Sequence, residues 1–216
     1  MQPGEVEPGL DEVLVMAIFL STFVTDFAAG IKAADGLSPV AVNVRTKVAF
    51  QPGIGPHTEV QTVKLTMDQM VLAQRGRYEQ FKLNVPYGDG TGQACDLCLG
   101  ESPDWEWAIE IKMLRLMGDN GKPNDNMLMH ILSPYSEHRS AVTDCRKLAD
   151  SELGHRKAVL IYGYDYDEWP MDPAIDAFKL LARATVALGR QQNAVFDGLV
   201  HPVHKRGRVL AWELGG

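Results

Sequence analysis

Cysteine is scarce in this chain: three residues in 216, too few for the disulfide framework that holds small secreted domains together. A reducing, cytoplasmic setting is the expectation. No stretch reads as a targeting signal. The longest apolar run, residues 13–25, carries no charge, yet it falls short of the ~20 residues a membrane helix needs. The acids ahead of it (Glu5, Glu7, Asp11 and Glu12) have the wrong sign for a secretory leader. It reads as part of a buried helix. Repeats and low-complexity segments are missing too. So is a phosphate loop, because the glycine-rich stretch 88–92 does not end in Gly-Lys-Ser/Thr. Positive charge is also short: the net charge is −7, and phosphate contacts need local positive charge. The excess sits near the start, where six acids in the first 40 residues face one base, Lys32. The remainder is close to neutral, so a basic groove further along is not excluded.

What is present is ordinary for a globular protein, with 45% hydrophobic and 23% charged residues. Residues 1–9 suggest a loose tail and 10–34 a helix ended by glycines. The alternation of Val42, Val44, Thr46 and Val48 predicts a strand. A turn at 51–56, an extended piece at 59–65 and a short helix at 68–74 follow. From 78 onward the pattern predicts strands at 78–87, 94–99 and 105–114. A helix at 140–153, a buried strand at 157–164 and a helix at 172–188 come next. Two extended segments at 194–214 flank a basic loop. The expectation is an α/β protein with a mixed central sheet flanked by helices. Residues 78–216 form its core, and 1–77 a helical and strand extension packed on that core, the two together making one compact domain.

Three residues in this frame carry chemistry. Glu110 and Lys112 lie two apart in the strand 105–114, so they share a face, while Ile109 and Ile111 point the other way. Asp96 lies in the preceding strand, one short turn away, so hairpin pairing is expected to bring it beside Glu110. Glu110-Ile111-Lys112 is the single acid-x-Lys triplet of the chain. Two carboxylates supply the hard oxygen ligands that Mg²⁺ requires. A lysine next to them suits phosphodiester hydrolysis, because an ammonium stabilises developing charge. The same residues also fit a cross-strand ion pair on a half-exposed edge.

This pattern resembles the PD-(D/E)XK, or restriction-endonuclease-like, nuclease superfamily: an acid on one strand, then Glu-x-Lys on the next, in an α-β-β-β-α-β core. The resemblance covers about residues 78–165, with the helix 10–34 as a candidate leading helix. Cys95 stands where the motif often has proline. The literal Pro103-Asp104 lies in the turn, too near Glu110 to reach the same face. The resemblance implies a nuclease dependent on Mg²⁺ or Mn²⁺, acting on DNA more than RNA. It implies Asp96, Glu110 and Lys112 as catalytic residues, Asp96 and Glu110 as metal ligands, and a homodimer for double-strand cleavage.

Further candidates are weaker. Glu79 is a candidate third metal ligand or a solvated side chain. Cys95 and Cys98 alternate across a strand and read as small buried residues. His138 and Arg139, ahead of the helix 140–153, suit a phosphate or simple solvation. The basic loop with His201, His204, Lys205, Arg206 and Arg208 suits nucleic acid or an exposed hairpin tip. A nuclease-fold protein that binds nucleic acid or a protein partner without cutting is the competing function.

Overall fold

The computed structural model describes residues 17–124 and 126–215. The expected tail at 1–9 and the start of the expected first helix lie outside them. Two helices come first, α1 (Leu20–Gly36) and α2 (Glu59–Ala73). Three strands follow, β1 (Phe81–Pro86), β2 (Ala94–Gly100) and β3 (Trp105–Leu114). The helices α3 (Met127–Leu132) and α4 (Ala141–Ala149) lead to β4 (Arg156–Tyr164). Then come α5 (Asp172–Arg183), the short β5 (Ala187–Leu188), β6 (Gln192–Asp197) and β7 (Arg206–Gly215).

The strands form one seven-stranded mixed sheet in the order β1-β2-β3-β4-β7-β5, with β6 also paired to β7. Adjacent strands are antiparallel except β3 and β4, which run parallel. A parallel pair needs a long crossover, and the segment carrying α3 and α4 supplies it. One face of the sheet presents Leu97, Ile109, Ile111, Leu160 and Tyr162 to Phe27 of α1 and Met67 of α2. The other presents Ala108, Val159, Ile161 and Trp212 to Cys145 and Leu148 of α4 and Phe178 of α5. The strands between are apolar on both sides, as a sheet covered by helices on both faces requires.

Sequence and structure part company in three places. The alternating valines near 42–48 form no strand. They make a turn closed by the isolated bridge Val42↔Ala49, and Val42, Val44 and Val48 face solvent. Alternation alone cannot hold a strand without a neighbour to pair with. Residues 59–74 are not an extended piece plus a short helix but one helix, α2. Its start is fixed by a capping box: Thr58 Oγ1 accepts from Gln61 N at 3.3 Å, and Thr58 N donates to Gln61 Oε1 at 3.1 Å. The helix expected at 172–188 stops at Arg183, and the chain re-enters the sheet as β5. The helix directly ahead of the three-strand meander is therefore α2, not the one expected at 10–34.

Candidate active site

β2 and β3 pair from Leu97↔Ile109 to Gly100↔Trp105. Toward its start, β2 stays with β1 through Val85↔Cys95 and Pro86↔Ala94, while β3 runs on beside β4 to Leu114. The two strands part, and a seam opens between them. A parting strand leaves backbone donors without a ladder partner, and these must be satisfied otherwise. Carboxylates do this here. Ile111 N donates to Asp96 Oδ2 at 2.8 Å, and Met113 N donates to Glu59 Oε2. Glu59 is the first residue of α2.

The parting has a local cause. In a regular strand, residues two apart share a face. Leu83 and Leu97 pack on the α1/α2 face, yet Val85 and Cys95 pack on the α4/α5 face. Both strands switch faces between these residues, at Asn84 and Asp96. Asn84 has φ 54°, a left-handed conformation that asparagine tolerates better than most side chains. The switch turns Asp96 toward α2, where it lines a small cleft with Glu59, Val63 and Leu83.

Glu110 lies on the other side of the seam, buried against α4. Its Oε1 accepts from Tyr87 Oη and from Lys147 Nζ at 2.9 Å. The expected side-by-side placement of Asp96 and Glu110 on one face is therefore corrected, because the face switch separates them. Lys112 links the two sides. Its Nζ lies 2.7 Å from Asp144 Oδ2, 3.7 Å from Asp96 Oδ2 and 3.9 Å from Glu59 Oε1. Lys147 also meets Asp144, at 2.8 Å.

Four carboxylates thus surround two ammonium groups. The imbalance sets the electrostatics. Burial pushes Glu110 well up from the usual carboxylate range, aided by Asp144 and Asp96 and opposed by Lys112. Burial likewise raises Glu59 to about 7, with Lys112 opposing and Asp96 adding to the rise. For Lys112, burial favours the neutral form, but the carboxylates of Glu59, Asp144, Asp96 and Glu110 outweigh it and raise its pKa. A cluster short of positive charge is relieved by a proton or by a cation. The donors present are hard oxygens, the class that Mg²⁺ or Mn²⁺ takes. Among the described residues, Asp96 Oδ1 and Glu110 Oε2 make no hydrogen bond, so each carboxylate keeps an oxygen for a ligand.

The other expected site residues fall elsewhere. Glu79 is exposed ahead of β1, whose first residue pairs with Leu99 at the far end of β2 from Asp96, so it is no ligand of this site. Glu59 is the third carboxylate near Asp96. His138 Nδ1 bonds Ser133 Oγ at 2.6 Å, and Arg139 is exposed just before α4. His204 is fully buried and cannot touch nucleic acid as a surface contact. Arg206 pairs with Asp167, and Arg208 with Asp165 and Asp172. Lys205 remains exposed at that tip.

A second polar cluster sits by the loops that follow β3 and precede β7. Asp119, His201 and His204 each offer a ligand atom, and these atoms lie within 4.8 Å of one another. Among the described residues it is the one group of three or more His, Cys, Asp or Glu side chains gathered so closely. Burial lowers the pKa of both histidines. The spacing His201-Pro202-Val203-His204 was the signal for it in the sequence, hidden there among arginine and lysine neighbours. For Glu59 the signal was the capping box that places it at a helix start.

Comparison of the chain with protein-family models, with curated proteins and with solved structures finds no match.

Proposed function

We propose that the chain is a divalent-metal-dependent nuclease that hydrolyses phosphodiester bonds in DNA as an endonuclease. One observation carries this reading: the seam between β2 and β3 gathers Glu59, Asp96 and Asp144 around Lys112, with Glu110 beside them on Lys147, leaving more carboxylates than cations to neutralise them. Asp96 and Glu59, which line one small cleft on the α2 side, are the residues that would hold Mg²⁺ or Mn²⁺, and Glu110 adds negative charge from the other side of the seam. Such an ion supplies an activated water and charge neutralisation at the phosphate. Lys112 contributes a fixed ammonium, held by Asp144, where negative charge develops. Lys147 holds Glu110 in place from α4.

The same ion pairs favour a second reading. Lys147 on Glu110 and Lys112 on Asp144 partly neutralise the cluster from within, as in a nuclease-fold protein that binds nucleic acid or a protein partner without cutting. Incubation of the pure chain with supercoiled, linear and single-stranded DNA, with Mg²⁺, with Mn²⁺ and with chelator, separates the two. Metal-dependent nicking or linearisation that Asp96→Asn abolishes supports the nuclease. Binding to DNA without cleavage under every condition supports the second reading.

A further inference from the structure

We infer that Asp119, His201 and His204 hold a divalent transition-metal ion of the Zn²⁺ class, which ties the loop after β3 to the loop before β7. This site is separate from the carboxylate seam and does not rest on the nuclease reading. Its donor set is one carboxylate oxygen and two imidazole nitrogens. That is a borderline set, suited to Zn²⁺ or Co²⁺ and poorly suited to Mg²⁺.

The geometry is assembled in advance. Asp119 Oδ1 lies 3.0 Å from His204 Nε2. Two ligands of one tetrahedral Zn²⁺, each bonded at about 2.0–2.1 Å, sit roughly 3.3–3.4 Å apart, a few tenths of an ångström beyond this hydrogen-bonded contact. His204 Nδ1 meets Tyr166 Oη at 2.7 Å, the outer partner that fixes the ring when the other nitrogen takes a metal. His201 stacks on His204 with centroids 4.7 Å apart and planes 17° apart. Both rings are fully buried.

His201 supplies the independent sign. Its Nε2 is buried and has no hydrogen-bond partner among the described residues. A buried polar atom of this kind normally finds one. Its Nδ1 receives only long contacts, 3.2 Å from Val203 N and 3.3 Å from His204 N. With Val203 N and His204 N donating to Nδ1, the ring proton sits on Nε2, so a metal at Nε2 requires that proton to move to Nδ1 and these two long contacts to be given up. Two glycines of the 51–56 turn pack closely against the histidines. A Cβ on Gly55 would come within 2.5 Å of the His204 ring, and one on Gly53 within 2.9 Å of His201 N. Asp35, buried below, accepts from Ile54 N and Val200 N and ties the turn ahead of α2 to the loop before β7. Arg115 is the one cation facing the group among the described residues; it lies 3.6 Å from Asp119 Oδ1 and donates to Gly55 O.

The test is metal loading of the tag-free chain after chelator treatment. Co²⁺ and Zn²⁺ are added in turn, and bound metal is counted after desalting. X-ray absorption at the metal edge reports the ligands. The expected result is one equivalent per chain with two imidazole ligands, and a melting temperature raised by Zn²⁺. Asp119→Asn and His201→Gln should each weaken binding by at least about tenfold while the chain stays folded by circular dichroism, the scale set by losing a ligand or its partner. The double variant Asp96→Asn, Glu110→Gln should keep the equivalent. Less than stoichiometric metal in the parent chain, or a bound ion without imidazole ligands, overturns the proposal. So does an equivalent that survives Asp119→Asn together with His201→Gln. Loss of the equivalent in the Asp96, Glu110 variant also overturns it, by assigning the ion to the seam. If either single variant fails to fold, the ligand spectrum of the parent chain decides.

Discussion

At the scale of single residues, the seam assigns different work to groups that look alike in the sequence. Asp96→Asn and Glu110→Gln each remove a charge that a divalent ion needs, so Mn²⁺ binding by calorimetry should weaken and cleavage should collapse. Lys112→Ala leaves the carboxylates, so the metal should still bind, while turnover falls by about 10²-fold or more, the usual scale for a lost electrostatic stabiliser. Asp104→Ala is the control. Asp104 is exposed in the β2–β3 turn and pairs with His155, so its loss should leave cleavage unchanged. An inactive Asp104 variant beside an active Asp96 variant would reassign the first acid.

Glu59 makes a second prediction of the same scale. Its pKa is raised from 4.5 to about 7 in the folded chain. The folded state therefore binds more protons than the unfolded state between these values, and stability falls as pH rises through that window. The penalty is absent below about pH 4.5 and complete above about pH 7. Glu59→Gln keeps an acceptor for Met113 N and removes the charge. In metal-free buffer its advantage over the parent chain should grow by ~1–3 kcal/mol from about pH 5 to about pH 8, since a tenfold change in proton affinity is worth about 1.4 kcal/mol. Urea unfolding of both chains at the two pH values measures this. Equal differences at both would show that Glu59 titrates normally.

At the scale of elements, the decisive feature is the break shared by β1 and β2. Asn84 adopts a left-handed conformation in β1, and the face switch it allows turns Asp96 into the seam. Asn84→Gly should be tolerated in both stability and cleavage. Asn84→Val places a β-branched residue in that conformation and should lose about 1–2 kcal/mol in urea unfolding. Its cleavage rate should fall further than that of Asn84→Gly, because the strand can recover regular geometry only by moving Asp96. Equal rates for the two variants would detach the switch from the site.

At the scale of the whole molecule, helices cover both faces of the sheet and leave large hydrophobics such as Leu72 and Leu180 exposed on their outer sides. Among the described residues no helix is long and apolar enough to cross a membrane. The nuclease reading expects two copies for double-strand cleavage, most simply related by a two-fold axis. Light scattering with and without a DNA duplex should show a dimer in at least one condition. A monomer throughout, with nicking as the sole product, would restrict the chain to one strand at a time.

How much of this was legible beforehand differs by level. The meander of β1 to β3, the crossover to β4 and the final hairpin of β6 and β7 follow from local pattern. Apolar runs, turn residues and helix stops act over a few positions, and a reader of the sequence sees all of them. The triplet Glu110-Ile111-Lys112 was visible for the same reason: two residues apart on a regular strand share a face. The valines near 42 show where pattern fails, since a strand exists only when another strand accepts its hydrogen bonds. Glu59 entered the seam, and Glu79 left it, because helix α2 and the far end of β2 are placed by packing rather than by neighbours in sequence. His201 and His204 read as part of a basic loop until the fold buried them against Asp119, more than eighty residues away in the chain. Sequence alone determined the strands of the meander, the strand after the crossover and the chemistry each residue can offer. The tertiary structure decided which of those chemistries meet, because a seam between strands and a cluster between loops are made by contacts that no local pattern records.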